Sequence, residues 1–172
     1  LPGTPMMQYG DEIGIGENLR LPERECARTP MQWTSEAHGG FSRSAHVVRP
    51  VINDDTFGFK KVNVADQRRD PESLLNWTER IIRMRRECPE ISWGSFTVLR
   101  TNVPEVLALR YDWRGTSLLT LHNFSSRQQK VTLKVGGERD GLLVEVFADR
   151  HSRAHADDKH RITLDGYAWR WY

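Results

Sequence analysis

The chain has 172 residues, enough to bury an ordinary core, and its length suggests one domain or slightly more. Apolar residues make up 38% and charged residues 28%, and a net charge of +2 is spread over interleaved acids and bases, which excludes a dedicated nucleic-acid or membrane surface. Cys26 and Cys88 lie far apart with no ligand or redox spacing, so free thiols in a reducing cytosol are the default and a disulfide stays open. No signal peptide and no apolar run of spanning length is present, and a cytoplasmic location is the expectation.

Residues 1–14 read as a short strand running into a loop, with Met6, Met7 and Tyr9 as its apolar body and Gly10-Asp11-Glu12 as its stop. A strand apolar on both faces belongs in a buried parallel sheet. No parallel partner is visible in the chain, and it opens on Leu1-Pro2 without an initiator Met, so the expectation is a piece of a longer protein. Residues 15–68 are long, polar and irregular, and Trp33, Phe41, Phe57 and Phe59 point to an ordered, functional loop. Residues 70–88 are the clearest helix: Asp70 as N-cap, Pro71 at the first position, Glu72 on the dipole, and Pro89 as the stop. Leu74, Leu75, Thr78, Ile81, Ile82 and Arg85 repeat at helical spacing, widened by Trp77 and Met84, while Arg80, Arg83 and Arg86 hold the solvent side.

From residue 95 the period becomes two. Segments 96–100, 106–111, 117–122, 130–135, 142–147, 161–164 and 168–172 read as strands, separated by turns at 112–115, 136–138 and 165–166. Short strands at this spacing predict an antiparallel β-sandwich.

Chemistry is sparse. Retaining glycosidases need two carboxyl groups about 5 Å apart, and the adjacent Asp11 and Glu12 point to opposite sides of an extended strand, so they are not that pair. His151, His155, Asp157, Asp158 and His160 match no ordinary zinc site and read as a solvated loop. Asn53-Asp54-Asp55 lacks the calcium-loop pattern. The formal sequons at Asn76 and Asn123 read as coincidence. Neither metal nor cofactor is expected.

LPGTPMMQYGDEIG followed by ARTPMQW resembles the end of the catalytic barrel in the alpha-amylase superfamily, glycoside hydrolase family thirteen. ARTPMQW is similar to the branch holding alpha-glucosidases, oligo-1,6-glucosidases and trehalose synthases. The stretches ENLRLPERE and VNVADQRRDPESLLNW resemble the trehalose synthases most. The resemblance implies an α+β fragment: the last strand, long loop and last helix of a β/α barrel over residues 1–92, then an antiparallel β-sandwich, domain C, over 93–172. It implies an enzyme that interconverts maltose and trehalose by intramolecular transglucosylation, with the upstream barrel of the same polypeptide as partner and the catalytic carboxylates on that barrel. This chain then carries no catalytic residue and is inactive alone. Gly3, Pro5 and Glu12 fall on the motif of the last barrel strand, whose C-terminal end faces the site in all such barrels. Arg28 falls on the arginine of RTPMQW, near the substrate pocket, in a charge pair that helps close it. Asp11, Gln32 and Trp33 read as motif and packing residues, and Glu12 as either a substrate-side group or a loop anchor. A homo-oligomer is left open. Two alternatives stand: the tail of a hydrolase of the same branch, and a carbohydrate-binding β-module that turns Trp93, Trp113, Trp169 and Trp171 toward sugar faces.

Overall fold

A computed structural model describes residues 3–136, 141–148, 151–153 and 159–172. The chain divides into two compact units, one of Pro5–Arg86 and one of Glu87–Tyr172 with the described part of Leu1–Thr4.

The first unit holds mostly loop and two helices. Asp11–Ile13 is a 3-10 turn bracketed by Gly10 (φ 99°) and Gly14 (φ 69°), left-handed positions that a side chain resists. The turn drops Ile13 into a small core with Met31 and Val64, flanked by Ile15, Val62 and Leu75. Residues 3–8 join no strand ladder, and Met6 is 93% exposed. An extended segment becomes a strand only when a neighbour takes up its backbone hydrogen bonds. The apolar pattern of 1–14 is therefore present without the pairing it predicts.

Helix α1 (Val64–Arg69) lies at the edge of the segment expected to be irregular. Its cap is Asn63, wholly buried, whose side chain accepts from Asp66 N–H at 2.9 Å and donates to Phe59 O at 3.0 Å. Helix α2 (Leu74–Glu87) is the expected amphipathic helix with a later start. The Ser73 hydroxyl accepts from Asn76 N–H (3.3 Å), the ordinary capping geometry, so Ser73 takes the role assigned to Asp70. Asp70 instead closes α1, donating its N–H to Gln67 O at 3.3 Å, and its carboxylate accepts from Glu72 N–H at 2.9 Å. Arg83 pairs with Glu79 one turn back on the exposed side. Asn76 donates to Gln67 O and Asp70 O, which engages the amide of the first sequon.

The second unit opens with α3 (Pro89–Trp93) and continues as antiparallel strands. β1 (Ser95–Leu99), β2 (Val106–Trp113), β3 (Thr116–Asn123) and β8 (Trp169–Trp171) form one sheet in the order β1-β2-β3-β8. β4 (Gln129–Leu133) pairs with β7 (His160–Leu164), and β5 (Leu142–Val144) with β6 (His151–Arg153). The β2–β3 hairpin turns on Arg114 (φ 48°) and Gly115 (φ 83°), two left-handed residues that suit the twist of the flanking strands. Val106, Ala108, Leu119 and Leu121 of the larger sheet pack on Val131, Leu133, Ile162 and Leu164 of the β4–β7 pair, giving the expected sandwich core. Trp169 and Trp171 meet the edges of Phe147 at 4.7 and 5.4 Å, and Trp171 is buried, so both serve packing. Asn123 is buried and donates to Arg127 O and Asp165 O, which places the second sequon inside the fold.

His160 is buried beside the Ser152 hydroxyl, 3.2 Å from Nδ1; His155, Asp157 and Asp158 lie outside the described residues, as do Leu1, Pro2 and part of the 136–138 turn. Among the described residues no group of three His, Cys, Asp or Glu side chains is placed to hold a metal. Neither cysteine is in a disulfide, and no helix is long and apolar enough to cross a membrane.

Replacing Leu121, which has no exposed surface, by alanine is expected to cost about 2–5 kcal/mol in chemical denaturation, the usual range for a buried leucine. A second expectation concerns His122, stacked at 6.4 Å on Phe124, whose imidazole is held below its ordinary pKa by burial. The unfolded chain binds a proton near pH 6.5. The folded one resists it, so stability is present above that pH and declines as pH falls through it. His122→Gln should flatten the decline in melting temperature between pH 7 and 5.

Candidate functional site

The first unit carries an open cleft of about 680 Å³, lined by Gln8, Tyr9, Arg24, Ala27, Arg28, Thr29, Pro30, Phe41 and Arg49. The chain is brought around it by three devices. Gln8 donates its side-chain amide to Ala27 O at 2.9 Å, tying the start of the unit to the segment before Arg28. Glu23–Glu25 forms a 3-10 turn whose last carbonyl accepts from Arg28 N–H at 3.1 Å. The Glu25 carboxylate is hydrogen-bonded and ion-paired to Arg49, 24 residues further on. The Arg49 hydrogen bond holds the Glu25 carboxyl below its ordinary range against partial desolvation, and the charges of Arg49 and Arg28 add to it. The same bond raises Arg49.

Behind the cleft the loop is held by Gln32, which has no exposed surface. Its Nε2 donates to Phe57 O at 2.9 Å and to Val62 O, while its own carbonyl accepts from Val64 N–H at 2.9 Å. Both carbonyl neighbours require the amide nitrogen on that side, which fixes its orientation. Trp33 is 43% exposed, and its backbone joins Gly39 O and Ala65 N–H.

Arg28 alone of the sequence-derived candidates lines the cleft. Its guanidinium is exposed, and no ion pair to it is found among the described residues. Glu12 is half-buried and accepts from Gly10 N–H at 2.9 Å; Asp11 accepts from Gln8 N–H at 2.8 Å. Both acids therefore brace the 3-10 turn. Pro5 is exposed, and Gly3, in the other unit, has φ 111° with nothing near its Cβ position. Arg24, Glu25, Arg49, Tyr9 and Phe41 were not singled out by sequence. The only signal for them was composition, since no spacing rule joins Glu25 to Arg49 across an irregular loop.

The cleft presents guanidinium and amide donors beside two aromatic rings, a lining that suits a polyhydroxylated ligand, and no carboxylate lines it. It can bind and orient. It holds neither nucleophile nor acid/base.

Comparison with known proteins places this geometry. Residues 1–94 match the family model described as alpha amylase, catalytic domain, and residues 115–172 match the sucrose hydrolase-like C-terminal domain. The chain belongs to the alpha-amylase family, and it joins the end of the catalytic domain to the C-terminal β-domain. It is 34% identical over 178 residues to the trehalose synthase of Pimelobacter sp. strain R48, covering 100% of this chain and 31% of that one. It is 32% identical over 177 residues to the trehalose synthase/amylase of Mycobacterium tuberculosis strain H37Rv, covering 100% and 30%. Among solved structures, the trehalulose synthase MutB from Pseudomonas mesoacidophila MX-45 aligns with a TM-score of 0.63 at 26% identity, over 87% of this chain and 25% of that one. The chain thus spans roughly a third of the length of the curated relatives it matches.

Replacing Gln32 by leucine removes the donor to Phe57 O and Val62 O inside the loop, at an expected net cost of about 1–3 kcal/mol. Limited proteolysis should then cut within residues 50–62 before the sandwich is touched.

Proposed function

We propose that this chain is the C-terminal part of a trehalose synthase that interconverts maltose and trehalose by intramolecular transglucosylation with retention. The observation that carries the reading is the similarity to trehalose synthases through the whole chain, including the segment that shapes the Arg28 cleft. The domain boundary falls at 92/93, and the two free thiols suit a reducing, cytoplasmic compartment.

In this reading the catalytic carboxylates stand on the remainder of the barrel. One cleaves the α-1,4 bond and holds the glucosyl group covalently, the other moves the proton, and the freed glucose turns before the α,α-1,1 bond forms. Water reaching the held glucosyl group gives hydrolysis instead, so excluding it sets the balance of products. Residues of this chain contribute to that exclusion. Arg28 reaches into the cleft as a fixed charge and fork of donors, and Gln8, Tyr9 and Phe41 complete a wall of donors and ring faces. Glu12 acts through the turn that carries Gln8 and Tyr9, while Gly3, Pro5, Asp11, Gln32 and Trp33 shape and pack the backbone.

The test is product analysis. The complete polypeptide that carries this segment should turn maltose into trehalose, residues 1–172 alone should not, and glucose as the sole product would instead assign a hydrolase. Arg28→Ala in the complete polypeptide should raise the glucose-to-trehalose ratio about tenfold, the scale of losing one charged hydrogen-bond group (about 1.5–3 kcal/mol).

A further inference from the structure

Glu25 stands within the field of two arginines. Its carboxylate is bonded to Arg49, while the charge of Arg28 also reaches it, because its own backbone carbonyl holds Arg28 N–H at 3.1 Å. Arg28 and Arg49 line the same cleft, and Arg28 has no ion pair among the described residues. There is thus one carboxylate with two cations able to use it, and only Arg49 does.

With side chains 38% and 39% exposed, the Glu25–Arg49 pair adds little to stability, since solvent screens an ion pair of that exposure. Its effect is on where charge is left over. Nothing regular holds the segment: residues 14–22 and 41–50 contain no helix or strand, so local charge decides side-chain placement there. If Arg49 were absent, the cation nearest in sequence on the cleft side would be Arg28, whose backbone is already tied to the same turn. Closing that contact would order few additional bonds, and the guanidinium would leave the cleft.

We propose that the Glu25–Arg49 pair is a positioning device that sequesters Glu25 and so keeps the Arg28 guanidinium unpaired and directed to the ligand. The inference rests on the substrate-side role of Arg28 given above. Glu25 and Arg49 are positioning residues that act through Arg28, and the pair tunes the balance between transfer and hydrolysis without entering the chemistry.

The sign of a charge-removal series tests this in the complete polypeptide. Phenylglyoxal, an arginine-selective dicarbonyl, is followed at the Arg28 peptide by mass spectrometry, which reads the state of that guanidinium whatever the activity is. Labelling of Arg28 should fall about two- to fivefold in Arg49→Gln, the range one part-exposed ion pair commands. It should return to the wild-type rate in the double variant Glu25→Gln/Arg49→Gln. Glu25→Gln alone should leave it at or above wild type, and Arg49→Lys should lie between wild type and Arg49→Gln, because it keeps the charge without the fork. The glucose-to-trehalose ratio should move in parallel: up in Arg49→Gln and back in the double variant. Unchanged labelling in Arg49→Gln, or a double variant no better than it, would make the pair a plain loop staple and overturn the proposal. Should Arg49→Gln fail to melt cooperatively, Glu25→Gln and Arg49→Lys decide, and a drop in Arg28 labelling in Glu25→Gln sinks it. Absence of trehalose from the wild-type polypeptide would refute the functional assignment while leaving the labelling pattern as the measure of the charge relay.

Discussion

The buried amide of Gln32 is the point from which the first unit is built. A loop of some fifty residues has backbone polar groups that must find partners once they leave water, and a sheet is not there to provide them. Gln32 supplies two side-chain donors to the segment 57–62 and a backbone acceptor to the first turn of α1. The Asn63 cap then starts the helix immediately downstream, and Gln67 reaches from it to Ile13 O, closing the path back to the glycine-bracketed turn. The cleft wall hangs from this frame, and the flexible arginines are placed by it.

The second unit follows another logic. Its strands bury alternate residues against a second sheet, so a few leucines, valines and isoleucines define it without any polar device. Two kinds of order therefore sit in one chain: a polar-stitched loop shaped for recognition, and a nonpolar sandwich that is self-consistent. Family membership is carried by both halves, which match separate domain models.

The difference in physics explains what could be read from sequence. Period-two alternation from Phe96 onward named the strands and the sandwich because burial imposes that period directly. The amphipathic stripe of α2 was equally legible, although its start was placed four residues early because Asp70-Pro71 imitates a helix opening that Ser73 in fact provides. α1 was missed: six residues are too few to show a period, and the buried cap that starts it, Asn63, reads as a loop residue. At the cleft, the motif around Arg28 was visible through resemblance. Its neighbours Arg24 and Arg49 were not, because contacts across an irregular loop leave no spacing in the chain.

The sheet order of the sandwich has a consequence for how the molecule comes into being. β3 lies next to β8, so Thr120 and Trp171 become ladder partners after nearly fifty intervening residues, and Tyr172 exchanges both backbone hydrogen bonds with Leu119. Such a pairing forms late, since the entropy of closing a long loop must be met before any contact rewards it. During synthesis the β2–β3 hairpin emerges first and must wait, with one edge uncovered, for the last residues to leave the ribosome. The hairpin's tight left-handed turn then matters for timing as much as for shape, because it keeps a local, fast-forming nucleus in register until its distant partner arrives.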